Sequence, residues 1–306
     1  MIGRASLTLM LAAVGCGSDA PRPLTAQESG RLDRVVVAGE AIRPLHARKG
    51  PATKGEWLAD HPEEGQTFAQ YRAKVSNGPT AGRTTIYVQP IGTFIGRKKD
   101  LLDKTVEALG LFYNLPVKTL KPIDEAILPK SALRDHPTTR LPQVDSLSIL
   151  RLLRGQRPDD AVAVLALTDS DLWPKGDRQI KNFVFGQASL GERVGVWSIA
   201  RLGDPDLDFP TCLRRTLQVA LHETGHMFSI QHCAAYECGM NGSNSLSESD
   251  GQPMAFCAEC EMKVGWTLKV GDPAKRYAAL AEFAGRNGLN AEAKGWRADE
   301  KASGAR

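Results

Sequence analysis

The sequence predicts an α/β fold, and three observations predict it. From Thr84 to Arg201, short runs of β-branched and aromatic residues alternate with runs of helical periodicity, as in a sheet flanked by helices. One of these runs, Ala161 to Leu167, is almost wholly apolar, which suits a strand buried on both faces. A long helical run follows from Asp208 and carries His222-Glu223-Thr224-Gly225-His226, with His232 further on. The 306 residues suffice for one large domain or two small ones, and 42% hydrophobic with 24% charged residues is ordinary for a globular chain.

The elements follow in chain order. Residues 1–16, MIGRASLTLMLAAVGC, place Arg4 before a short apolar run that ends in Gly15 and Cys16. The run is too short to span a bilayer and has the shape of a secretory signal. Ala13-Val14-Gly15-Cys16 resembles a bacterial lipobox with alanine where leucine is usual, so cleavage there would leave Cys16 as a lipidated N-terminus. An ordinary cleaved signal or a misplaced start codon stays open. The expected location is the bacterial cell envelope, lipid-anchored through Cys16 or secreted, or the cytoplasm if the segment is no signal. Gly17 to Gln27 is polar, holds Pro21 and Pro23, and suits a tether. Residues 28–75 mix charges with Trp57, Phe68 and Tyr71, with a short helix expected around 63–74. His46 and His61 have no partner at ligand spacing and read as surface residues.

Thr85 to Pro90 reads as a strand. Asp100 to Tyr113 reads as a helix with Leu102, Val106, Leu109 and Tyr113 on its packed face, and Leu115 to Leu120 as a second strand. Residues 121–142 hold several prolines and read as a loop in which His136 is solvated. Asp145 to Leu153 reads as a helix. Asn182 to Ser189 and Arg193 to Arg201 read as two strands joined by a short turn, with Gly186 able to admit close backbone approach. Asp208-Phe209-Pro210-Thr211 is a helix start, and the helix should run to about Ile230. Leu246 to Met254 reads as a polar loop, and residues 272–306 as a surface helix with a frayed tail.

Chemistry concentrates between Leu213 and Lys263. Positions i and i+4 share one helix face, so His222 and His226 can offer two imidazole nitrogens to one metal. Glu223, beside the first ligand, can take a proton from a metal-bound water. A continuing helix would carry His232 off that face, so the chain must turn back between Phe228 and His232. Three neutral ligands with an open fourth position are the pattern of catalytic zinc. Cys233, Cys238, Cys257 and Cys260 read C-x4-C and C-x2-C across a spacer, the spacing of a four-thiolate zinc site. Two disulfides, or free buried thiols, stay open as the rival reading, the disulfides because an exported chain meets an oxidising compartment. Cys212 reads as a small buried apolar residue.

The run HETGHMFSIQHC, then C-G-M, then C-x2-C-x2-K, resembles the archaemetzincins, zinc metallopeptidases of the metzincin group with a second, structural zinc. TIYVQPIG, AVLALTDSDL and NFVFGQASLGERVGVWSIAR resemble the same family, so the resemblance covers about residues 83–267. It implies two zinc ions per chain. His222, His226 and His232 would hold the catalytic one, with Glu223 as general base. Cys233, Cys238, Cys257 and Cys260 would hold the structural one, and Met240 would lie in the Met-turn beneath the catalytic metal. The implied fold is metzincin-like. It has a mixed twisted sheet, an active-site helix and a small C-terminal subdomain held by the four cysteines. The strand from Asn182 would be an antiparallel edge beside the cleft, able to pair with an extended peptide. The chain divides into a lipoprotein-type signal (1–15), an N-terminal tether and extension (16–80), the metallopeptidase domain (81–271) and a helical tail (272–306).

One residue departs from the metzincin pattern H-E-x-x-H-x-x-G-x-x-H: Ser229 stands at the glycine. Glycine there leaves the helix with positive φ, and serine in that conformation costs about 1 kcal/mol or more. The expected activity is zinc-dependent hydrolysis of a peptide or protein substrate. The alternative is a catalytically weak or inactive zinc-binding or peptide-binding module of the same fold whose turn Ser229 has spoiled, and a non-peptide amide or ester substrate is a third reading. Nucleic acid is not expected as a partner, because the net charge of +4 is mild and no basic run has interleaved aromatics.

Overall fold

Residues 24–74, 77–175 and 182–304 are described by the computed structural model, so the segment read as a signal and Cys16 lie outside the described residues. Helices α1 (Ala26–Ile42), α2 (Trp57–Asp60) and α3 (Phe68–Arg72) come first. The α/β part follows as β1 (Thr85–Ile91), α4 (Gly96–Tyr113), β2 (Val117–Thr119), β3 (Leu133–Asp135), β4 (Pro142–Asp145), α5 (Ser146–Gln156), β5 (Ala161–Thr168), β6 (Asp171–Trp173), β7 (Gly186–Ala188) and β8 (Val194–Ser198). Helices α6 (Phe209–Met227), α7 (Leu246–Gly251), α8 (Ala258–Leu268), α9 (Pro273–Arg286) and α10 (Asn290–Gly304) complete the chain.

The main sheet has the order β2-β1-β5-β8-β7. β1 pairs in parallel with β2 and β5, and β5 with β8, whereas β7 runs antiparallel to β8 with Gly186 opposite Trp197. The sheet is therefore mixed, and β7 is its edge. Every residue of β1 and β5 is buried, and β5 is apolar as far as Leu167, as a strand covered on both faces must be. One face carries Leu101, Leu109 and Phe112 of α4 with Leu213, Leu217 and Leu221 of α6, while Ile149, Leu150 and Leu153 of α5 pack on the other.

Several sequence expectations are corrected. The proline-rich stretch 121–142 is no plain loop: it contributes β3 and the start of β4 to a second sheet, β3-β4-β6. His136 is not solvated but 6% exposed, with its Nδ1 accepting from the backbone N–H groups of Thr138 and Thr139. His46 and His61 are half-buried: His46 meets Asp299 at 3.2 Å, and the His61 ring stacks on Trp57 with centroids 4.0 Å apart. The polar stretch from Leu246 opens as α7, capped by the Ser245 hydroxyl.

The two ends of the described chain are helical and packed. α1 begins in a capping box between Thr25 and Glu28, inside the stretch read as tether, and lies across α8. Glycine makes that crossing close, because a Cβ on Gly39 would sit 2.4 Å from Met262 Cγ. The C-terminal segment is not one surface helix with a frayed tail. α9 and α10 pack together and bury Tyr277, Leu280, Phe283 and Trp296, while Arg276 forms a buried ion pair with Glu261 at 2.9 Å. Among the described residues no helix is long and apolar enough to cross a membrane.

Candidate active site

α6 delivers the site. Its first turn is fixed by the Asp208 carboxylate, which accepts from Thr211 N–H at 3.2 Å, and by proline in the first turn. Its last turn ends at Met227, earlier than the sequence suggests. Ile230 N–H donates to Gly225 O at 3.1 Å and Ser229 N–H to His226 O at 2.8 Å. Ser229 itself has φ of +66°. This is the left-handed C-terminal turn that glycine usually makes. Serine adopts it here, and its hydroxyl donates to Leu190 O at 3.1 Å. The turn is not spoiled: it aims Ile230 O at His226 and returns His232 to the helix.

The three histidines then converge. Their ring centroids lie 4.6, 4.9 and 5.2 Å apart. Each Nδ1 faces an acceptor that has no proton of its own to give. His222 Nδ1 meets Gly239 O at 2.9 Å, His226 Nδ1 meets Ile230 O at 2.7 Å, and His232 Nδ1 meets the Glu63 carboxylate at 2.8 Å. Each Nδ1 therefore carries the proton, and each Nε2 lone pair is left free. The Nε2 atoms of His222 and His226 face each other at 3.0 Å. Two bare lone pairs at that distance repel, and a shared cation relieves them. Burial, with a push from His232, lowers the His222 pKa to about 3, and burial pushes His226 well below the usual range, so both stay neutral as metal ligands must. The residues present fit a zinc ion.

Glu223 is 6% exposed, and burial alone pushes its carboxyl up to about 8. It lies against β7, where a Cβ on Gly186 would be 2.6 Å from Glu223 Oε1. Met240 is fully buried against α6, its sulfur 2.6 Å from where Gly225 would carry a Cβ. His222, Glu223, His226 and His232 line a cleft of about 1220 Å³, with Val184 to Ala188 along one wall. Trp57, His61 and Glu63 of the N-terminal segment also line it, and sequence reasoning missed them.

Cys233, Cys238, Cys257 and Cys260 are buried free thiols with all four sulfurs within 4.8 Å of one another. Cys233 and Cys257 are 3.7 Å apart, close to the edge of about 3.8 Å for a tetrahedron with zinc–sulfur bonds of about 2.3 Å. Cys238 Sγ accepts from the backbone N–H groups of Met240 and Cys257, and the buried Lys263 ammonium lies 3.9 Å from Cys260 Sγ. Hydrogen bonds from the other three thiols drive Cys233 far below the usual thiol range. Burial raises Cys238, and the bond to Cys233 raises Cys260. Four sulfurs this close can all ionise only around a cation, and the geometry is a cage rather than two bridged pairs. Cys212 is buried and apart from this cage, as expected.

Comparison with known proteins agrees with this geometry. The model of Peptidase family M54 matches residues 138–265. Archaemetzincin-2 of Homo sapiens is 30% identical over 290 residues, 81% of this chain and 78% of that protein. The chain belongs to the archaemetzincin family. Membership makes it a zinc metallopeptidase, and the reading as an inactive binding module is set aside. Archaemetzincin of Archaeoglobus fulgidus is 32% identical over 58% of this chain and 98% of its own length. The crystal structure of archaemetzincin from Methanopyrus kandleri has 31% identity and a TM-score of 0.51, covering 63% of this chain and 99% of that one. The fold is thus an archaemetzincin fold.

Proposed function

We propose that His222, His226 and His232 hold the catalytic zinc through Nε2 and that Glu223 is the general base. Cys233, Cys238, Cys257 and Cys260 hold a second, structural zinc, giving two per chain. One observation carries the first assignment: three Nδ1–H groups are each donated away, which leaves three Nε2 lone pairs on one point. Zinc bound there supplies a Lewis acid for the scissile carbonyl and lowers the pKa of a water to about 7.

The chain's own residues do the rest. Glu223 takes the proton of the attacking water and passes it to the leaving amine nitrogen. A carboxyl whose proton affinity burial has raised toward neutrality suits both steps. β7, as an edge, offers its outer N–H and C=O groups to an extended peptide substrate as one more strand. Gly186 lets that strand lie on Glu223, so the substrate backbone comes next to the base. The cysteine cage fixes Cys233, and with it the backbone that presents His232.

Metal analysis with a thiol count, and turnover of a peptide library by Glu223→Ala, test this reading. It expects two zinc ions, four unreactive thiols, and hydrolysis lost in Glu223→Ala while zinc is kept. Undiminished hydrolysis without Glu223 refutes the mechanism. We extend the proposal to location: the lipobox-like Ala13-Val14-Gly15-Cys16 supports a lipid anchor on the bacterial envelope. Labelled palmitate incorporated by wild type and not by Cys16→Ala is the expected result, and no label in either refutes the anchor.

A further inference from the structure

The inference rests on the zinc reading above. His222 and His226 donate Nδ1–H to backbone carbonyls of Gly239 and Ile230, close to the helix end. His232 does not. Its Nδ1 lies 2.8 and 3.0 Å from the two oxygens of Glu63, a residue 169 positions earlier. We propose that the N-terminal segment completes the active site, with Glu63 as a positioning residue that holds the third imidazole for the metal.

Glu63 is not a loose surface acid. The Trp57 indole N–H donates to Glu63 Oε1 at 3.0 Å, and the Trp57 ring meets the His232 ring edge-on with centroids 5.2 Å apart. Trp57 is seated on Gly242, where any Cβ would come 2.3 Å from the indole, and the Trp57 backbone N–H donates to Glu248 at 2.8 Å. Just beyond Glu63, Gln66 is tied twice. Its side chain accepts from Gln231 N–H at 3.3 Å, and its carbonyl accepts from the buried Lys263 ammonium. Phe68 N–H donates to Glu259, between Cys257 and Cys260. The segment that carries the carboxylate is thus bolted to the turn that carries His232 and to the helix that carries two of the thiols.

A carboxylate on the far nitrogen of a ligand imidazole fixes its tautomer and ring orientation and raises its basicity. The other two rings obtain orientation from the chain that carries them, whereas His232 sits beyond the helix on a turn and draws it from elsewhere. Glu63 lies outside residues 138–265, which match the family model, and the archaemetzincin of Methanopyrus kandleri covers 63% of this chain. The rival is a plain half-exposed ion pair, since the His232 and Glu63 side chains are 18% and 31% exposed.

Zinc affinity of the full-length protein, measured by chelator competition on Glu63→Ala, Glu63→Gln, Trp57→Phe and His232→Ala, separates them. Loss of the carboxylate should weaken the zinc at the histidines by about 10- to 100-fold, with the melting temperature little changed. Glu63→Gln accepts the Nδ1–H without the charge and should fall between, and Trp57→Phe should weaken zinc less than Glu63→Ala. Should Glu63→Ala fail to fold, Glu63→Gln decides alone. Wild-type zinc affinity without the Glu63 carboxylate, while His232→Ala loses zinc, overturns the positioning role. Wild-type affinity in His232→Ala as well overturns the three-histidine site on which it rests.

Discussion

Gly186→Ala tests how tightly Glu223, the proposed base, is held. A methyl group there would sit 2.6 Å from Glu223 Oε1, 2.7 Å from Cγ and 2.8 Å from Cδ. Comfortable contact between such atoms is about 3.5–4.0 Å, so something must move by about 1 Å. Neither partner yields easily. Glu223 is 6% exposed, and the clash reaches back to its Cγ, so turning the terminal carboxylate alone does not relieve it. Gly186 is paired with Trp197, which is fully buried. A misplacement of about 1 Å at a catalytic group costs on the order of 100-fold in rate, or ~2.7 kcal/mol of activation free energy. The histidines are not touched, so zinc content should stay at the wild-type value. The assay is kcat on a peptide that wild type cleaves, with metal analysis and far-UV circular dichroism on the same preparation. A kcat within about threefold of wild type, with zinc and fold intact, would show that Glu223 is not pinned by β7 and would refute the reasoning.

Four further outcomes are expected. In metal-free protein the Glu223 carboxyl has its pKa raised from 4.5 to about 8, so the folded state holds a proton that the unfolded state releases. That stability is present below pH 4.5 and is lost as pH rises through 8, a change of about 5 kcal/mol at most. Urea midpoints of metal-free wild type should therefore fall across this window relative to Glu223→Gln, and parallel curves would contradict the burial argument. Ser229→Gly should change stability by less than about 1 kcal/mol, because relief at φ +66° is offset by the freer unfolded chain and by the lost bond to Leu190. Ser229→Val should cost about 2 kcal/mol by thermal unfolding, since a β-branched residue fits this conformation worst. Cys260→Ser should lower the metal count by one and weaken zinc at the histidines, through Cys233 beside His232; two tightly held zinc ions in that variant would contradict the four-thiolate cage.

What the sequence determined by itself was everything governed by local spacing. The step from His222 to His226 sets one helix face whatever the surroundings, and Glu223 follows from it. The cysteine pairs are legible because a tetrahedral cage needs close thiol pairs, and β5 because a strand buried on both faces must be apolar throughout. Even the left-handed turn at Ser229 could be located, since only a reversal returns His232. Other features had no local signal. β3, β4 and β6 have three or four residues each and exist because they pair with one another. α1 buries few residues, and its partner α8 lies far along the chain, so its periodicity was faint. His136 is buried by backbone donors that its own turn supplies, not by a hydrophobic pattern. Tertiary structure alone brought Glu63 and Trp57 to His232, because a contact across 169 residues is decided by how the N-terminal segment docks on the thiol cage and the turn before it. Nothing in the spacing of Trp57, His61 and Glu63 distinguishes them from a solvated loop: a side chain's chemistry is written locally, but what it faces is settled by packing.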